Sequence, residues 1–214
     1  MHVTVIGAGN MGRGIGHRLV AGGHDVTVVD RDPEEAGQLA EELRSAAKGD
    51  ATVEAAGPGA ELRGEVVILA LYYPGTLDVA KELGDRLVGK VVVDITNPLN
   101  QNFDGLATAP GTSAAEELAT SAPPGARVVK AFNTTFAGTL VAGEVAGQPL
   151  DVLLAGDDEE AKERVAQLVR DGGLRAIDTG PLERARQLEG LGFLGITLQQ
   201  PLGLNFQSAW KLIS

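Results

Sequence analysis

The sequence contains no cysteine and has few basic residues for its length of 214. Without cysteine the chain has no disulfide, no thiolate nucleophile and no thiolate metal site. Its 18 Lys and Arg residues stand against 29 Asp and Glu residues, which gives a formal net charge of -11. Because this charge repels phosphate backbones and anionic lipid surfaces, we expect neither a nucleic acid nor a membrane as a partner.

Long apolar runs are also missing. No stretch stays apolar for the roughly 18 residues that a membrane-spanning helix needs. Met1 and His2 lead directly into the apolar segment 3–6, without the basic and apolar regions of a signal peptide. We therefore expect a cytoplasmic protein.

Histidine is scarce and dispersed. His2, His17 and His24 fall at strand starts or on the first predicted helix, where solvated surface positions are expected. No spacing in the sequence assembles a metal-ligand cluster or a nucleophile and base. The sequence therefore predicts neither a metal site nor a catalytic acid–base residue.

Short β-branched segments alternate with helical patterns over residues 1–135, which is typical of βαβ units around a parallel sheet. Strands are predicted at 3–6, 25–29, 66–71, 90–94 and 127–130, and their continuous apolarity indicates burial on both faces. Another strand, helix and strand are predicted between 150 and 177, and a helix from Glu183 that Pro201 interrupts. We expect an α/β protein with a doubly wound parallel sheet in residues 1–135 and a small, mainly helical α/β domain in residues 136–214.

The glycine-rich segment after the first strand has the pattern GxGxxG. Gly7 permits a tight turn, Gly9 lets a pyrophosphate approach the backbone, and Gly12 lets the following helix pack close to the strand. The N–H groups of Asn10 and Met11 are expected to bind phosphate oxygens at the positive end of that helix. Because a strand precedes the pattern and a helix follows it, the sequence predicts a Rossmann fold that binds a dinucleotide.

An acidic residue and an arginine end the second predicted strand. Asp30 lies about 20 residues after the glycine motif, where a carboxylate accepts hydrogen bonds from the adenosine ribose. A 2′-phosphate would be repelled there, so Asp30 favours NAD(H) over NADP(H). Arg31 is a candidate for pairing with such a phosphate or stacking on adenine.

Further candidate cofactor-binding residues follow later strands of the predicted sheet, at the edge where α/β proteins bind ligands. Tyr72, Tyr73 and Pro74 follow one strand, and Asn97 and Pro98 follow the next. Their aromatic and proline surfaces are expected to pack along the ribose and nicotinamide. The alternative is that these residues only mark the start of a helix. The segment 130–135 follows the last strand of the main sheet and is expected to face the nicotinamide.

Four segments together resemble the coenzyme F420-dependent NADP oxidoreductases, which are similar to the reductase domain of the six-transmembrane metalloreductases: VIGAGNMGRG, KAFNTT, AGDDEEAK and DTGPLERARQLEGL. The resemblance covers nearly the whole chain, and KAFN followed by DxGPL and a helix carrying Glu189 is its most specific part. It implies hydride transfer without an acid–base residue, between the nicotinamide and a deazaflavin or flavin ring in a cleft between the two domains. It also implies that Tyr73, Pro74 and Pro98 lie on the nicotinamide side and that Ala131, Phe132, Asn133 and Thr134 lie beside the second ring.

The sequence departs from this family in two ways. Members that use NADP carry a small polar residue where this chain has Asp30, and no basic cluster is present for a polyglutamate tail. The second cofactor therefore stays open between coenzyme F420, FMN and FAD, beside a small carbonyl substrate. Two other functions also stay open: a carbonyl or imine reductase, and a dinucleotide-sensing protein without turnover.

An apolar segment near the end of the sequence bears on assembly. It contains Leu202, Leu204, Phe206, Trp210, Leu212 and Ile213, which lie close to one another along the chain. A monomer would struggle to cover so many apolar side chains close to a chain end. We expect the last helix and this segment to form a two-fold homodimer.

Overall fold

The computed structural model describes residues 1–213, in which ten strands and seven α-helices are found. The strands are β1 (His2–Ile6), β2 (Asp25–Val29), β3 (Val53–Ala56), β4 (Val66–Leu69), β5 (Val91–Asp94), β6 (Arg127–Lys130), β7 (Glu144–Val145), β8 (Gln148–Pro149), β9 (Asp151–Gly156) and β10 (Arg175–Asp178). The helices are α1 (Asn10–Ala21), α2 (Pro33–Ala46), α3 (Gly75–Leu83), α4 (Ala114–Ser121), α5 (Ala137–Ala142), α6 (Glu159–Asp171) and α7 (Ala185–Thr197).

Eight of the described strands form one sheet in the order β10-β9-β6-β5-β4-β1-β2-β3. From β3 to β6 all neighbours are parallel, and this part has the strand order of a Rossmann fold. The predicted doubly wound parallel sheet is therefore confirmed. Strand β9 pairs with β6 in the antiparallel sense and with β10 in parallel, so the C-terminal strands extend the same sheet.

The expected boundary at residue 135 falls between β6 and α5, inside this continuous sheet. A division into two domains at that point stays a prediction. No sequence pattern predicted β3, because this edge strand is short and half-exposed. The β7–β8 hairpin was not predicted either, because each of its strands has only two residues.

The central strands are apolar throughout because helices cover both faces of the sheet. In β4, Val66 and Ile68 pack into the core on one face, whereas Val67 and Leu69 pack into the core on the other. The first core includes side chains of α1, α2 and α6, and the second includes side chains of α3 and α4. Within residues 1–213, no helix has both the length and the apolarity needed to cross a membrane.

One half-buried arginine links α1 to the C-terminal part of the chain. Arg18 donates hydrogen bonds to the carbonyl oxygens of Val141 at 2.8 Å and Gly172 at 3.3 Å, near the ends of α5 and α6. Burial lowers the pKa of this guanidinium. Helix C-termini carry partial negative charge, so a single cation stabilises both ends.

The expectation that all three histidines are solvated is wrong for His24. This side chain is only 4% exposed, and its Nδ1 lies 3.1 Å from the amino group of Met1. The turn between α1 and β2 folds His24 against α6, where its Nε2 lies 3.2 Å from Asp171 Oδ2. Burial, followed by the neighbouring amino terminus, lowers the pKa of His24.

Candidate dinucleotide site and adjoining cleft

The glycine-rich turn lies at the carboxyl end of β1, and its backbone requires glycine at two positions. Gly7 has a φ of +111°, and a Cβ there would lie 2.4 Å from the carbonyl oxygen of Ala70. A Cβ on Gly12 would lie 2.0 Å from the carbonyl oxygen of Gly7. Gly9, by contrast, faces open space. The turn is therefore closely packed on its inner side and open on the side where a ligand would approach.

Helix α1 begins at this turn without a side-chain cap and without an acidic residue in its first turn. Helices α2, α4 and α6 differ, because Asp32, Ser113 and Asp158 cap them and glutamates occupy their first turns. The first N–H groups of any helix lack partners within the helix. In α1 these groups, on Asn10 and Met11 among others, remain available to an anion.

Asp30 connects the end of β2 to the glycine-rich turn. Its Oδ2 accepts a hydrogen bond from Ala8 N at 2.7 Å, and its Oδ1 accepts one from Asp32 N at 3.0 Å. Each carboxylate oxygen has two lone pairs, so Asp30 can accept further hydrogen bonds from a ligand. Asp30 and the exposed Arg31 line a cavity of about 220 Å³, with Leu71 on its wall.

A larger cleft of about 590 Å³ adjoins this cavity at Leu71. Six of the predicted site residues line the cleft: Asn10, Met11, Tyr72, Tyr73, Asn97 and Asn133. Its other walls include residues from the C-terminal part of the chain, namely Phe136, Ala137, Gly138, Ile196, Phe206 and Gln207. Predicted residues from the start of α1 and from three separate loops are therefore brought together.

Of the site residues predicted after β4, β5 and β6, five do not line the cleft: Pro74, Pro98, Ala131, Phe132 and Thr134. Pro74 is exposed at the start of α3, and the other four are buried. Their contacts with a cofactor stay a prediction.

The C-terminal wall of the cleft is the part that sequence reasoning missed. The rings of Phe136 and Phe206 meet edge to face, with centroids 5.3 Å apart. Gln199 holds the segment that carries Phe206, because its Oε1 accepts a hydrogen bond from Phe206 N at 2.8 Å. These residues lie outside any motif. The only signal in the sequence was the apolar character of the segment after Pro201.

Tyr73 is the ionisable predicted residue whose surroundings are most informative. Burial and a 2.8 Å hydrogen bond to Glu117 raise its pKa to about 12. The phenol therefore keeps its proton at neutral pH and donates it to the Glu117 carboxylate. It is a poor proton donor to a ligand.

A buried charged cluster lies at the carboxyl ends of β5 and β6. Lys130 Nζ is 2.8 Å from both Asp94 Oδ2 and Glu189 Oε1, and all three side chains are at most 1% exposed. Burial raises the pKa of Glu189, although the Lys130 ammonium favours its charged form. Lys130 and Glu189 both lie in segments that carry the family resemblance, which assigned neither of them a role.

Comparisons with known proteins point to one family. A family model described as "NADP oxidoreductase coenzyme F420-dependent" matches residues 2–98. The chain is 32% identical to the F420-dependent NADP reductase of Methanothermobacter thermautotrophicus over 209 residues, which cover 92% of this chain and 89% of that protein.

Two further similarities extend the comparison. The chain is 32% identical to the metalloreductase STEAP3 of Rattus norvegicus, but it spans only 36% of that protein's length. The crystal structure of a putative F420-dependent NADP reductase from Arthrobacter sp. FB24 matches 99% of both chains, with 29% identity and a TM-score of 0.84. The similarities therefore extend from the glycine-rich turn through the C-terminal wall of the cleft.

Proposed function

The chain belongs to the family of coenzyme F420-dependent NADP oxidoreductases, and we propose that it transfers a hydride between a nicotinamide dinucleotide and a deazaflavin-type ring. The observation that carries the proposal is the cleft of about 590 Å³ that adjoins the glycine-rich turn. A dinucleotide lying along the turn would place its nicotinamide there, with room for a second ring. The hydride chemistry would come from the two bound cofactors, and the protein would align them and exclude water.

The residues of the turn fit a dinucleotide. The open side of Gly9 leaves room for a pyrophosphate, and the uncapped start of α1 offers N–H donors to its oxygens. Asp30 would accept hydrogen bonds from the adenosine ribose in the smaller cavity. The shared wall at Leu71 would let one ligand occupy both spaces.

The lining of the cleft favours a ring-to-ring transfer over reduction of a carbonyl or imine. Among the described residues that line it, the ionisable ones are Arg13, Tyr72 and Tyr73, and none is a carboxylate or histidine. Hydride addition to a carbonyl or imine leaves a localised anion that needs a proton at once, and Tyr73 is a poor donor with its pKa of about 12. A reduced ring spreads the negative charge over its conjugated atoms and can take its proton from solvent. The aromatic edge of Phe136 and Phe206 would pack against a planar ring.

The dinucleotide itself is a separate proposal. The relatives' names specify NADP, whereas this chain carries Asp30 next to Arg31. A carboxylate that is already held by Ala8 N would accept hydrogen bonds from the ribose hydroxyls and repel a 2′-phosphate. We therefore propose that NAD(H) is preferred, with binding of NADP(H) through Arg31 as the alternative. Coenzyme F420 is the proposed second cofactor, and FMN and FAD are alternatives.

We also propose that two chains associate through the C-terminal segment. Leu202, Phe206, Leu212 and Ile213 are all about half-exposed or more. Covering these side chains would remove apolar surface from water in both copies. Light scattering at micromolar concentration should give the mass of a dimer, and a monomer mass would contradict this proposal.

The decisive experiment is an anaerobic hydride-transfer assay. The purified protein is mixed with NADH or NADPH and with coenzyme F420, FMN or FAD, while the absorbance of the nicotinamide and the ring is followed. We expect reduction of the deazaflavin with matching loss of reduced nicotinamide. Binding of the dinucleotide without transfer to any ring would instead indicate a sensing protein, and turnover only with a carbonyl or imine would indicate a reductase of that class.

A further inference from the structure

The buried cluster of Lys130, Asp94 and Glu189 lies behind the cleft, and the hydride transfer proposed above uses none of its groups. Lys130 Nζ donates to Asp94, to Glu189 and to the carbonyl oxygen of Thr96. A lysine ammonium has three N–H donors, and here each one has an acceptor. The directions of all three hydrogen bonds are therefore fixed.

These bonds join three structural elements. Lys130 ends β6, Asp94 ends β5, and Glu189 projects from α7. Glu189 also accepts hydrogen bonds from the backbone N–H groups of Ala114 and Ala115, at 3.1 and 3.3 Å, where α4 begins. The sheet edge, α4 and α7 thus meet at one buried carboxylate.

A second set of contacts ties the lining of the cleft to the same helix. Asn133 Nδ2 donates to the carbonyl oxygen of Leu188 and to Asn97 Oδ1, both at 2.9 Å. Gly192 lies so close to Asn97 that a Cβ on it would be 2.2 Å from the amide oxygen. Ile196, one turn further along α7, lines the cleft itself. A shift of α7 would therefore change the position of Ile196 in one wall of the cleft relative to Asn97 and Asn133 in the other.

A buried ion cluster is a weak source of stability, because removing the charges from water costs about as much as their attraction returns. Well-packed apolar side chains would hold α7 equally firmly. What the cluster adds is direction, since each charged hydrogen bond fixes a distance and an angle. Hydride transfer depends on this kind of accuracy, because a displacement of roughly 1 Å can cost about a hundredfold in rate.

We propose that Lys130 and Glu189 are positioning residues that hold α7 and the Thr96–Asn97 turn at the spacing required for hydride transfer across the cleft. This inference rests on the proposed function. Neither residue lines the cleft, so both act through the side chains of Asn97, Asn133 and Ile196.

The test compares Glu189→Gln with Lys162→Met in the full-length protein. Glutamine keeps the size of Glu189, but its NH₂ group would face the donors of Lys130 or of Ala114, so one contact must be given up. Lys162 is a matched control, because it is 5% exposed and paired with Asp178 at 2.8 Å, but it does not line the cleft. The melting temperature, the dinucleotide dissociation constant and the single-turnover rate of hydride transfer are measured for each variant.

For Glu189→Gln we expect a rate about tenfold to a hundredfold lower, with the dinucleotide affinity changed less than about threefold. Lys162→Met should lower the melting temperature and keep the wild-type rate. Glu189→Asp, which keeps the charge but has a shorter reach, should also lose rate and provides the comparison if Glu189→Gln does not fold.

Two results would overturn the inference: a wild-type rate in a folded Glu189 variant, or a loss of rate matched by an equal loss of dinucleotide affinity. A wild-type protein that transfers no hydride to any ring contradicts the proposed function itself. That result is distinguishable because it is obtained before any variant is compared.

Discussion

The two ends of the candidate site are built in opposite ways. The dinucleotide end is built around the consecutive residues Gly7 to Gly12, and its proposed donors are backbone N–H groups at the start of α1. The far wall of the cleft combines Phe136, Ile196 and Phe206, which are distant in sequence and are held by side-chain contacts. The first end is set by local backbone geometry, and the second is set by the packing of the whole C-terminal part.

This difference has a consequence for substitutions. Backbone donors are insensitive to most side-chain changes, so the dinucleotide end fails when a side chain intrudes on the turn. The far wall depends on individual side chains such as Gln199 and Glu189, which do not line the cleft but hold the segments that do. We therefore expect substitutions at the turn to affect affinity and substitutions behind the wall to affect rate or stability.

The largest effect is expected from Gly9→Asp at the dinucleotide end. The new Cβ would meet open space, so the fold should be kept. The added carboxylate would stand where the pyrophosphate is proposed to bind, and like charges repel. We expect the dinucleotide affinity to fall by a factor of about 100 or more, which is roughly 3 kcal/mol.

Titration calorimetry with NADH and NADPH measures this loss, and thermal unfolding checks the fold. Gly9→Ala is the matched control, since it adds the same Cβ without the charge and should lose little affinity. An unchanged affinity in Gly9→Asp would contradict the assignment of the turn.

A second effect is expected at the other end, where Asp151 fixes the segment after Phe206. Its carboxylate accepts hydrogen bonds from Arg175, from Lys211 Nζ at 2.6 Å and from Leu212 N at 2.8 Å. Although burial opposes the shift, these bonds lower the pKa of Asp151 to about 2. A pKa lowered on folding means that the carboxylate stabilises the folded state above its unfolded pKa of about 4, and that this contribution disappears as the pH falls to about 2.

Asp151→Asn should therefore cost roughly 2 kcal/mol of unfolding free energy at pH 7, and the difference from wild type should shrink between about pH 4 and pH 2. Urea unfolding across this range measures it, with the exposed Asp50→Asn as the control. The dinucleotide affinity should stay at the wild-type value. A constant difference at every pH would show that Asp151 does not act through its charge.

The smallest effect is expected from Asp30→Ser in the adenosine cavity. Serine removes the charge that would repel a 2′-phosphate and leaves Arg31 free to pair with it. The ratio of NADPH to NADH affinity should rise about tenfold, or roughly 1.4 kcal/mol. A wild-type protein that prefers NADPH and loses this preference on Arg31→Ala would show instead that Arg31 determines the choice.

Much of the Rossmann part could be predicted because its signals are local. The apolar runs predicted β1, β2, β4, β5 and β6 within a few residues. The short edge strand β3 was not predicted, because half of its residues face solvent and it has no apolar run. The burial of His24 was not predicted either, since it depends on contact with α6, which lies far along the chain.

The candidate site divides in the same way. Asn10, Met11, Tyr73 and Asn97 were predicted to lie together because loops at the carboxyl ends of parallel strands share one edge of the sheet. No comparable rule places Phe206 and Gln207 in the cleft, because nothing local determines which part of the sheet a C-terminal segment covers. The link between Lys130 and Glu189 was equally hidden, although both residues stood within the family's segments.

The sequence by itself determined the α/β fold, the glycine-rich turn and the acidic residue that follows β2. These features follow from backbone conformation and the periodicity of apolar residues, which act over a few neighbouring positions. Only the tertiary structure decided that β9 and β10 extend the sheet, that α7 is held through a buried carboxylate, and that Phe136 and Phe206 meet in the far wall of the cleft. Such contacts join residues far apart in the chain, and their partners are chosen by packing and by the burial of charge, which no local pattern encodes.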